Sequence, residues 1–372
     1  MQQEKKIPII IPAYEPDERL LNLLRELAAE KAGPVILVND GSGEAYKSIF
    51  AQASEILEKE ASGVVLEHKI NQGKGRALKT AFSYVLEEMP EAVGTVTADS
   101  DGQHTVSCIC KIRDALLEQS DKLVLGVRTF DHDDIPWKSR FGNHVTEKVF
   151  SYVSGIHVSD TQTGLRGIPR AFMQELLDVK GERFEFEMRM LLETAGRYDI
   201  VEIPIETIYD SKENHQTHFH PVKDSIRIYK ILGEKFIRYI FASFSSFLVD
   251  MVLFAVFCRL LKLHYPVIYV GAATVMARVV SAVYNYIINY KMVFRSKESV
   301  GRSGAKYVLL AVIQMACSAA LVTLLVRWIH SIPEVVFKMV VDTILFFASY
   351  YIQQKYVFSK SKKEKTFSEE KL

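Results

Sequence analysis

Apolar positions follow two regimes along the chain. Between residues 7 and 128 they come as short runs, IPIIIPAY, PVILVND, GVVLEH, AVGTVTAD and KLVLGVR, interleaved with helical patterns such as ERLLNLLRELAAE. Short β-rich runs alternating with helices predict a mainly parallel sheet flanked by helices. In open sheets of this kind ligands collect beyond the carboxyl ends of the strands, so the residues closing each run are the candidates for chemistry.

After about residue 236 the apolar stretches lengthen, to 237–261, 265–290, 306–328 and 335–354. Each is long enough to cross about 30 Å of hydrocarbon as a helix. Lys291, Arg295, Lys297, Arg302 and Lys306 lie between the second and third, and Lys355, Lys360, Lys362, Lys363 and Lys365 follow the fourth. The other two connections carry only Arg259, Lys262, Arg327 and Lys338. This excess of Lys and Arg places the central loop and both termini in the cytoplasm. Just before the first stretch, VKDSIRIYKILGEK at 222–235 reads as an amphipathic helix on an anionic membrane surface.

The last two stretches repeat the first two. Tyr286, Ile288, Lys291, Val293 and Phe294 match Tyr350, Ile352, Lys355, Val357 and Phe358, each 64 positions on, as in a duplicated two-helix unit whose copies run parallel. Three charges, Asp250, Arg278 and Asp342, fall near the middle of the bilayer, where facing lipid costs at least about 2.5 kcal/mol each. They are expected to face the bundle interior. Because Arg278 and Asp342 correspond in the repeat, they are the expected pair, with Asp250 as alternative or third member.

Composition narrows the partners. With 46 basic against 45 acidic residues there is no overall field to attract nucleic acid or another polyanion. The four cysteines, Cys108, Cys110, Cys258 and Cys317, show no C-x-x-C spacing, so neither disulfide nor zinc site is expected. The N-terminal sequence lacks the length and flanks of a signal peptide.

The most informative string is Asp99-Ser100-Asp101-Gly102-Gln103-His104, after the run AVGTVTA. Two carboxylates two residues apart at a strand end can share a hard cation with a diphosphate, leaving other coordination positions to water. Upstream, Pro12, Ala13, Tyr14 and Glu15 close the first run, and Asn39, Asp40, Gly41 and Ser42 close the second, where Asp40 could accept from a nucleobase or ribose hydroxyl. Asn71-Gln72-Gly73-Lys74-Gly75-Arg76-Ala77 opens a helix with glycines and two cations, a place for an anion without the spacing of an ATPase loop.

In this order and spacing the four motifs resemble the family 2 glycosyltransferases, nearest to dolichyl-phosphate mannose synthase and polyprenyl-phosphate glucosyltransferases. The likeness runs over about 7–230, through Gly126-Val127-Arg128, Ser139-Arg140-Phe141-Gly142-Asn143, Asp160-Thr161-Gln162-Thr163-Gly164-Leu165-Arg166-Gly167 and Phe184-Glu185-Phe186-Glu187. It implies a GT-A catalytic domain, Rossmann-like with a mainly parallel sheet, over 1–232. By the same resemblance Pro12, Ala13, Tyr14, Glu15, Asp40, Gly73, Lys74, Asp99 and Ser100 line the donor, and Asp99, Asp101 and Gln103 hold Mg²⁺ or Mn²⁺. Asp101, Arg128, Arg140 and Lys212 would form the catalytic set, the arginines on phosphate and Lys212 near the diphosphate or acceptor. Asn39 and Gly102 depart from the family pattern, which more often has an aspartate and an apolar residue there.

The implied reaction moves a sugar from a UDP- or GDP-linked donor to a polyprenyl phosphate, with inversion, at the cytoplasmic face of the cell membrane, for cell-envelope glycosylation. Two alternatives stand beside it: transfer to a polysaccharide or glycolipid acceptor, against which the Q-x-x-R-W string of processive synthases is absent, and a non-catalytic translocase or scaffold. His215, His218 and His220 lack a familiar zinc spacing; a phosphate-side role for His218 is the minor reading, and His104 reads as structural. The membrane half, ending its copies in VYNYIINYKMVF and ASYYIQQKYVF, resembles the GtrA-like four-helix family. It implies an all-α four-helix transmembrane domain over 233–360, followed by a basic cytoplasmic tail at 361–372. The bilayer is then a partner, and self-association into a homo-oligomer through these helices is open.

Overall fold

The computed structural model describes residues 6–128, 137–194, 197–206, 221–265, 267–296, 298–329 and 333–359. They form two compact units, Met1–Ser151 with Ile156–Ile231, and Tyr152–Gly155 with Leu232–Leu372.

In the first unit the short apolar runs are strands: β1 Ile9–Ala13, β2 Val35–Asn39, β3 Gly63–Glu67, β4 Gly94–Thr97, β5 Leu123–Arg128, β6 Arg166–Pro169 and β7 Ile200–Ile205. They make one sheet in the order β3-β2-β1-β4-β6-β5-β7. β6 runs antiparallel to β4 and β5, and the other pairings are parallel, so six strands point the same way. Every residue of β1, β2 and β4 is buried, as continuous apolar runs in a sheet covered on both faces should be. The edge strand β3 is partly exposed.

Helices α1 Glu18–Ala29, α2 Lys47–Lys59, α3 Lys74–Glu88 and α4 Val106–Glu118 cover the sheet. In α1 the pattern ERLLNLLRELAA turns Leu20, Leu21, Leu23, Leu24 and Leu27 inward, and Asp17 caps its start by accepting from the Arg19 amide. α5 Trp137–Ser154, α6 Arg170–Leu176 and α7 Glu185–Glu193 complete the unit. Topology brings the carboxyl ends of β1, β2 and β4 side by side, and with them Tyr14, Asp40 and Asp99.

The second unit is helical. α8 Pro221–Leu261 is a helix of 41 residues that holds both the segment expected on the membrane surface and the first apolar stretch; its part from Leu232 on belongs to this unit. α9 Tyr269–Ile288, α10 Val300–Trp328 and α11 Glu334–Ile352 correspond to the other three stretches. Among the described residues, Lys230–Leu261, Val300–Trp328 and Val336–Val357 are long and apolar enough to cross a membrane. α9, with 20 residues, reaches about 30 Å by helical rise. Phe241, Phe244, Met251, Val275, Leu309 and Met315 are exposed, as side chains meeting lipid would be.

Both copies of the repeat end in a π-helical turn, Asn289–Val293 and Gln353–Val357. The expected charge pair is not formed. Arg278 meets Asp250 on α8 at 3.3 Å, and Ser281 donates to the same carboxylate at 2.9 Å. Asp342 instead takes Lys338, one turn away on α11, at 2.7 Å, and Ser318 of α10 donates to it at 2.6 Å. Each charge is thus satisfied within its own copy. Nor do all three face inward: the side chain of Arg278 is 73% exposed and that of Asp342 47%, against 14% for Asp250.

Candidate active site

The turn after β1 starts at Tyr14 and passes through Glu15, whose φ of 50° is left-handed. The Glu15 amide donates to Ser42 Oγ at 2.9 Å, and the Asp40 amide donates to the Ala13 carbonyl at 2.9 Å, so the turns after β1 and β2 are tied together. The hydrogen bond to Glu15, with burial behind it, holds the Tyr14 hydroxyl above its ordinary pKa. Asn39 organises the second turn, its Oδ1 accepting from the Ser42 amide at 2.9 Å. Gly41, at φ 71°, has no alternative here: a Cβ would stand 2.1 Å from the Ile70 backbone carbon.

The resemblance places Asp40 against the nucleoside. Its side chain is only 3% exposed, and its oxygens accept from His68 Nδ1 at 2.7 Å, the Gln72 amide at 3.0 Å and the Gly73 amide at 2.7 Å. His68 in turn contacts Thr80 Oγ1 at 2.9 Å. These bonds fix the Gln72–Gly73 turn that starts α3. His68 carries no signal in the sequence beyond following β3.

At the end of β4, Asp99 meets Lys74 Nζ at 2.6 Å through Oδ1 and lies 3.7 Å from His104 Nε2 through Oδ2. Burial pushes the Asp99 carboxyl up, but Lys74 and His104 outweigh it and leave the group well below the carboxylate range. Ser100 and Gly102, the latter at φ 74°, turn the chain. Asp101 Oδ1 accepts from the Gln103 amide at 3.1 Å. Burial and then the neighbouring Asp99 push the Asp101 carboxyl up. Asp101, Gln103 and His104 form one wall of a cavity of about 240 Å³, with Arg19, Asn22 and Glu26 of α1 on the other.

Lys74 also reaches Glu187 Oε1 of α7 at 3.0 Å. Burial pulls its ammonium down, yet the two carboxylates raise it above the ordinary lysine value. Arg128, expected to grip phosphate, is held by Asp160: Nε donates to Oδ2 at 2.7 Å and Nη2 to Oδ1 at 3.0 Å. Asp160 is fully buried, while Arg128 stays 22% exposed.

The loop carrying Asp160 is stapled to the sheet. Thr97 Oγ1 donates to the Gly164 carbonyl at 2.8 Å, and Thr163 Oγ1 donates to the Gly126 carbonyl at 2.5 Å. This presses Gly164 against the acidic turn, where a Cβ would stand 2.2 Å from Asp99 Oδ2. Arg166, fully buried, donates to the carbonyls of Thr163 at 2.9 Å and Glu187 at 2.8 Å. Asp160, Gly164 and Glu187 stand in the motifs of the sequence, as do their partners Arg128, Asp99 and Lys74; which of them meet is what the fold adds.

The structure therefore gathers Lys74, Asp99, Asp101 and Gln103 at one strand end, with Tyr14 and Glu15 on the neighbouring β1 turn. Arg140 lies on α5, where only the backbone is described, and Lys212, His215, His218 and His220 lie outside the described residues.

Among the described residues no group of three or more His, Cys, Asp or Glu converges on a metal position. Asp99, Asp101 and Gln103 offer hard oxygen donors on one turn, which fits a divalent cation whose remaining ligands come from water and a diphosphate.

Residues 9–177 match the model of Glycosyl transferase family 2, and 232–358 that of the GtrA/DPMS transmembrane domain. An uncharacterized protein of Methanocaldococcus jannaschii is 28% identical over 209 residues, covering 55% of this chain and 82% of that protein. The UDP-N-acetylglucosamine–dolichyl-phosphate N-acetylglucosaminyltransferase of Methanococcus voltae is 26% identical over 220 residues, 55% of this chain and 87% of that one. The undecaprenyl-phosphate 4-deoxy-4-formamido-L-arabinose transferase of Sodalis glossinidius is 26% identical over 205 residues, 54% of this chain and 59% of that one. A mainly parallel sheet with an acidic turn at its carboxyl edge, long apolar helices and two matched models agree: the chain carries a Glycosyl transferase family 2 domain followed by a GtrA/DPMS transmembrane domain.

Proposed function

We propose that this enzyme transfers a sugar from a UDP- or GDP-linked donor to a polyprenyl phosphate of the undecaprenyl class, with Mg²⁺ or Mn²⁺, inverting the anomeric carbon, to supply cell-envelope glycosylation. The observation that carries the reading is the meeting of Asp99, Asp101 and Lys74 at the carboxyl end of β4, in a chain that also carries membrane helices. The names of the relatives support a lipid phosphate as acceptor.

The acceptor fits the groups present. A lipid phosphate is already an anion near neutral pH and attacks without a general base. What the site must do is bring two anions together and stabilise a departing nucleoside diphosphate, which is work for positioning and electrostatics. Asp99, Asp101 and Gln103 would hold the metal, which when bound supplies Lewis-acid stabilisation of the leaving diphosphate. Tyr14, Glu15 and Asp40 border the nucleoside, and Asp40 also keeps the Gln72–Gly73 turn in place for it. Arg128, oriented by Asp160, and Arg140 screen phosphate, with Lys212 near the diphosphate or acceptor. In this reading 1–232 is the catalytic domain, 233–360 spans the membrane and 361–372 is a basic tail, with the catalytic domain and both termini cytoplasmic.

The test is Asp101→Ala in the full chain. Sugar transfer to lipid should be lost while membrane insertion and thermal stability stay near the parent's. Turnover close to the parent's would reduce the acidic string to a solvated turn.

A further inference from the structure

Lys74 is the cation that the acidic turn holds by itself. Its Nζ lies 2.6 Å from Asp99 Oδ1 and 3.0 Å from Glu187 Oε1, joining α3, the end of β4 and α7. The reach is built in by two glycines. A Cβ on Gly73 would stand 2.4 Å from the Glu182 carbonyl oxygen, and one on Gly75 would stand 2.6 Å from Phe186 Cβ. Only without those atoms does the start of α3 lie close enough to α7 for Lys74 to meet the residue after Phe186. Glu187 is fixed from the other side, where buried Arg166 takes its carbonyl. Among the described residues no basic side chain pairs with Asp101.

Among the described residues Lys74, with the buried Arg166 guanidinium behind it, offsets the charge of Asp99 and Glu187, while Asp101 is left without a paired base. A divalent cation would make up the difference, but not with Lys74 in place on the same Asp99 oxygen, since the two cations repel at contact distance. A diphosphate relieves this by giving Lys74 another anion.

Resting on the reading of this turn as a metal and donor site, we infer that Lys74 is its resident counter-ion, exchanged from Asp99 to the donor diphosphate when metal and nucleotide bind, and that Glu187 is the positioning residue that keeps Lys74 within reach of both. Metal and nucleotide then bind cooperatively, each making room for the other. The Glu187 contact lets Lys74 leave Asp99 without being lost from the site.

The experiment is Mn²⁺ binding to the purified full chain, followed by the paramagnetic resonance signal of free Mn²⁺, alone and with UDP or GDP. The parent should bind Mn²⁺ weakly alone and more tightly with nucleotide. Lys74→Met, which removes the charge but keeps the stem, should bind Mn²⁺ alone at least about tenfold more tightly than the parent, because a repelling charge has gone. Its gain on adding nucleotide should shrink. Lys74→Gln, run beside it, should behave alike, so that one misfolded variant does not decide the matter, and Lys74→Arg should stay weak. Glu187→Gln should lower the nucleotide-dependent gain. Neutral variants that bind Mn²⁺ alone no tighter than the parent overturn the exchange. A parent that takes up no Mn²⁺ with either nucleotide overturns the reading of the site itself, a different result.

Discussion

Asn289 donates its side-chain amide to Gln353 Oε1 at 3.1 Å, and the two residues stand 64 positions apart at corresponding places in two copies of one helix pair. Both are buried, and each opens a π-helical turn. Just beyond them Phe294 and Phe358, also equivalent, stack with centroids 4.9 Å apart. Equivalent residues of two copies touch only near the axis that relates them, so this pair marks the axis.

Replacing Asn289 or Gln353 singly with leucine leaves the other amide short of a partner in the interior, at a cost of about 1–3 kcal/mol. The double leucine variant should lose less than the sum. Thermal unfolding of the detergent-solubilised chain measures this, and strict additivity would separate the two residues.

Arg278 and Asp250 should couple in the same way. Arg278→Leu leaves the Asp250 carboxylate with Ser281 alone, and the double variant Arg278→Leu with Asp250→Leu should recover part of the loss, a coupling of about 0.5–3 kcal/mol. Arg278→Leu with Asp342→Leu should be additive. Coupling in that second cycle and none in the first would restore the pairing expected from the repeat.

Gly164→Ala should damage catalysis more than folding. The new methyl would lie 2.2 Å from Asp99 Oδ2, so the carboxylate has to move. Misplacing a group by about 1 Å can cost 10²-fold in rate. We expect at least a tenfold fall in kcat, on the order allowed by that effect, in a chain that still unfolds cooperatively. Unchanged turnover would mean that Asp99 has freedom its surroundings do not suggest.

Asp160→Asn removes the charge from a fully buried carboxylate that takes two side-chain N–H groups and the backbone amide of Arg128, and the Gln162 amide at 3.1 Å. Hydrogen bonds to charged groups of this kind contribute about 1.5–3 kcal/mol. The loss should appear in thermal stability and in transfer together, and Arg128→Lys should not substitute, because the contact is bidentate. A stable variant with parental turnover would detach Arg128 from the site.

The strand ends were legible because each chemical residue follows an apolar run, and strand direction alone then brings Tyr14, Asp40 and Asp99 together. Which side chains pair there was not legible. His68 and Asp160 reach Asp40 and Arg128 from 28 and 32 positions away, a distance that only the folded sheet closes. Four apolar stretches were readable as helices from their length, and the repeat from matched aromatics. The Arg278–Asp342 expectation failed because equivalence in a repeat sets equal depth, not proximity; proximity needs the axis, where Asn289 and Gln353 stand.

The most direct measurement of the central claim is transfer of labelled sugar from a panel of UDP- and GDP-linked donors to undecaprenyl phosphate by membranes carrying the full chain, with and without chelator. Label from one donor class should enter the lipid fraction, stop with chelator and return on adding Mg²⁺ or Mn²⁺. Label that enters no lipid with any donor, or enters equally with chelator present, would contradict it.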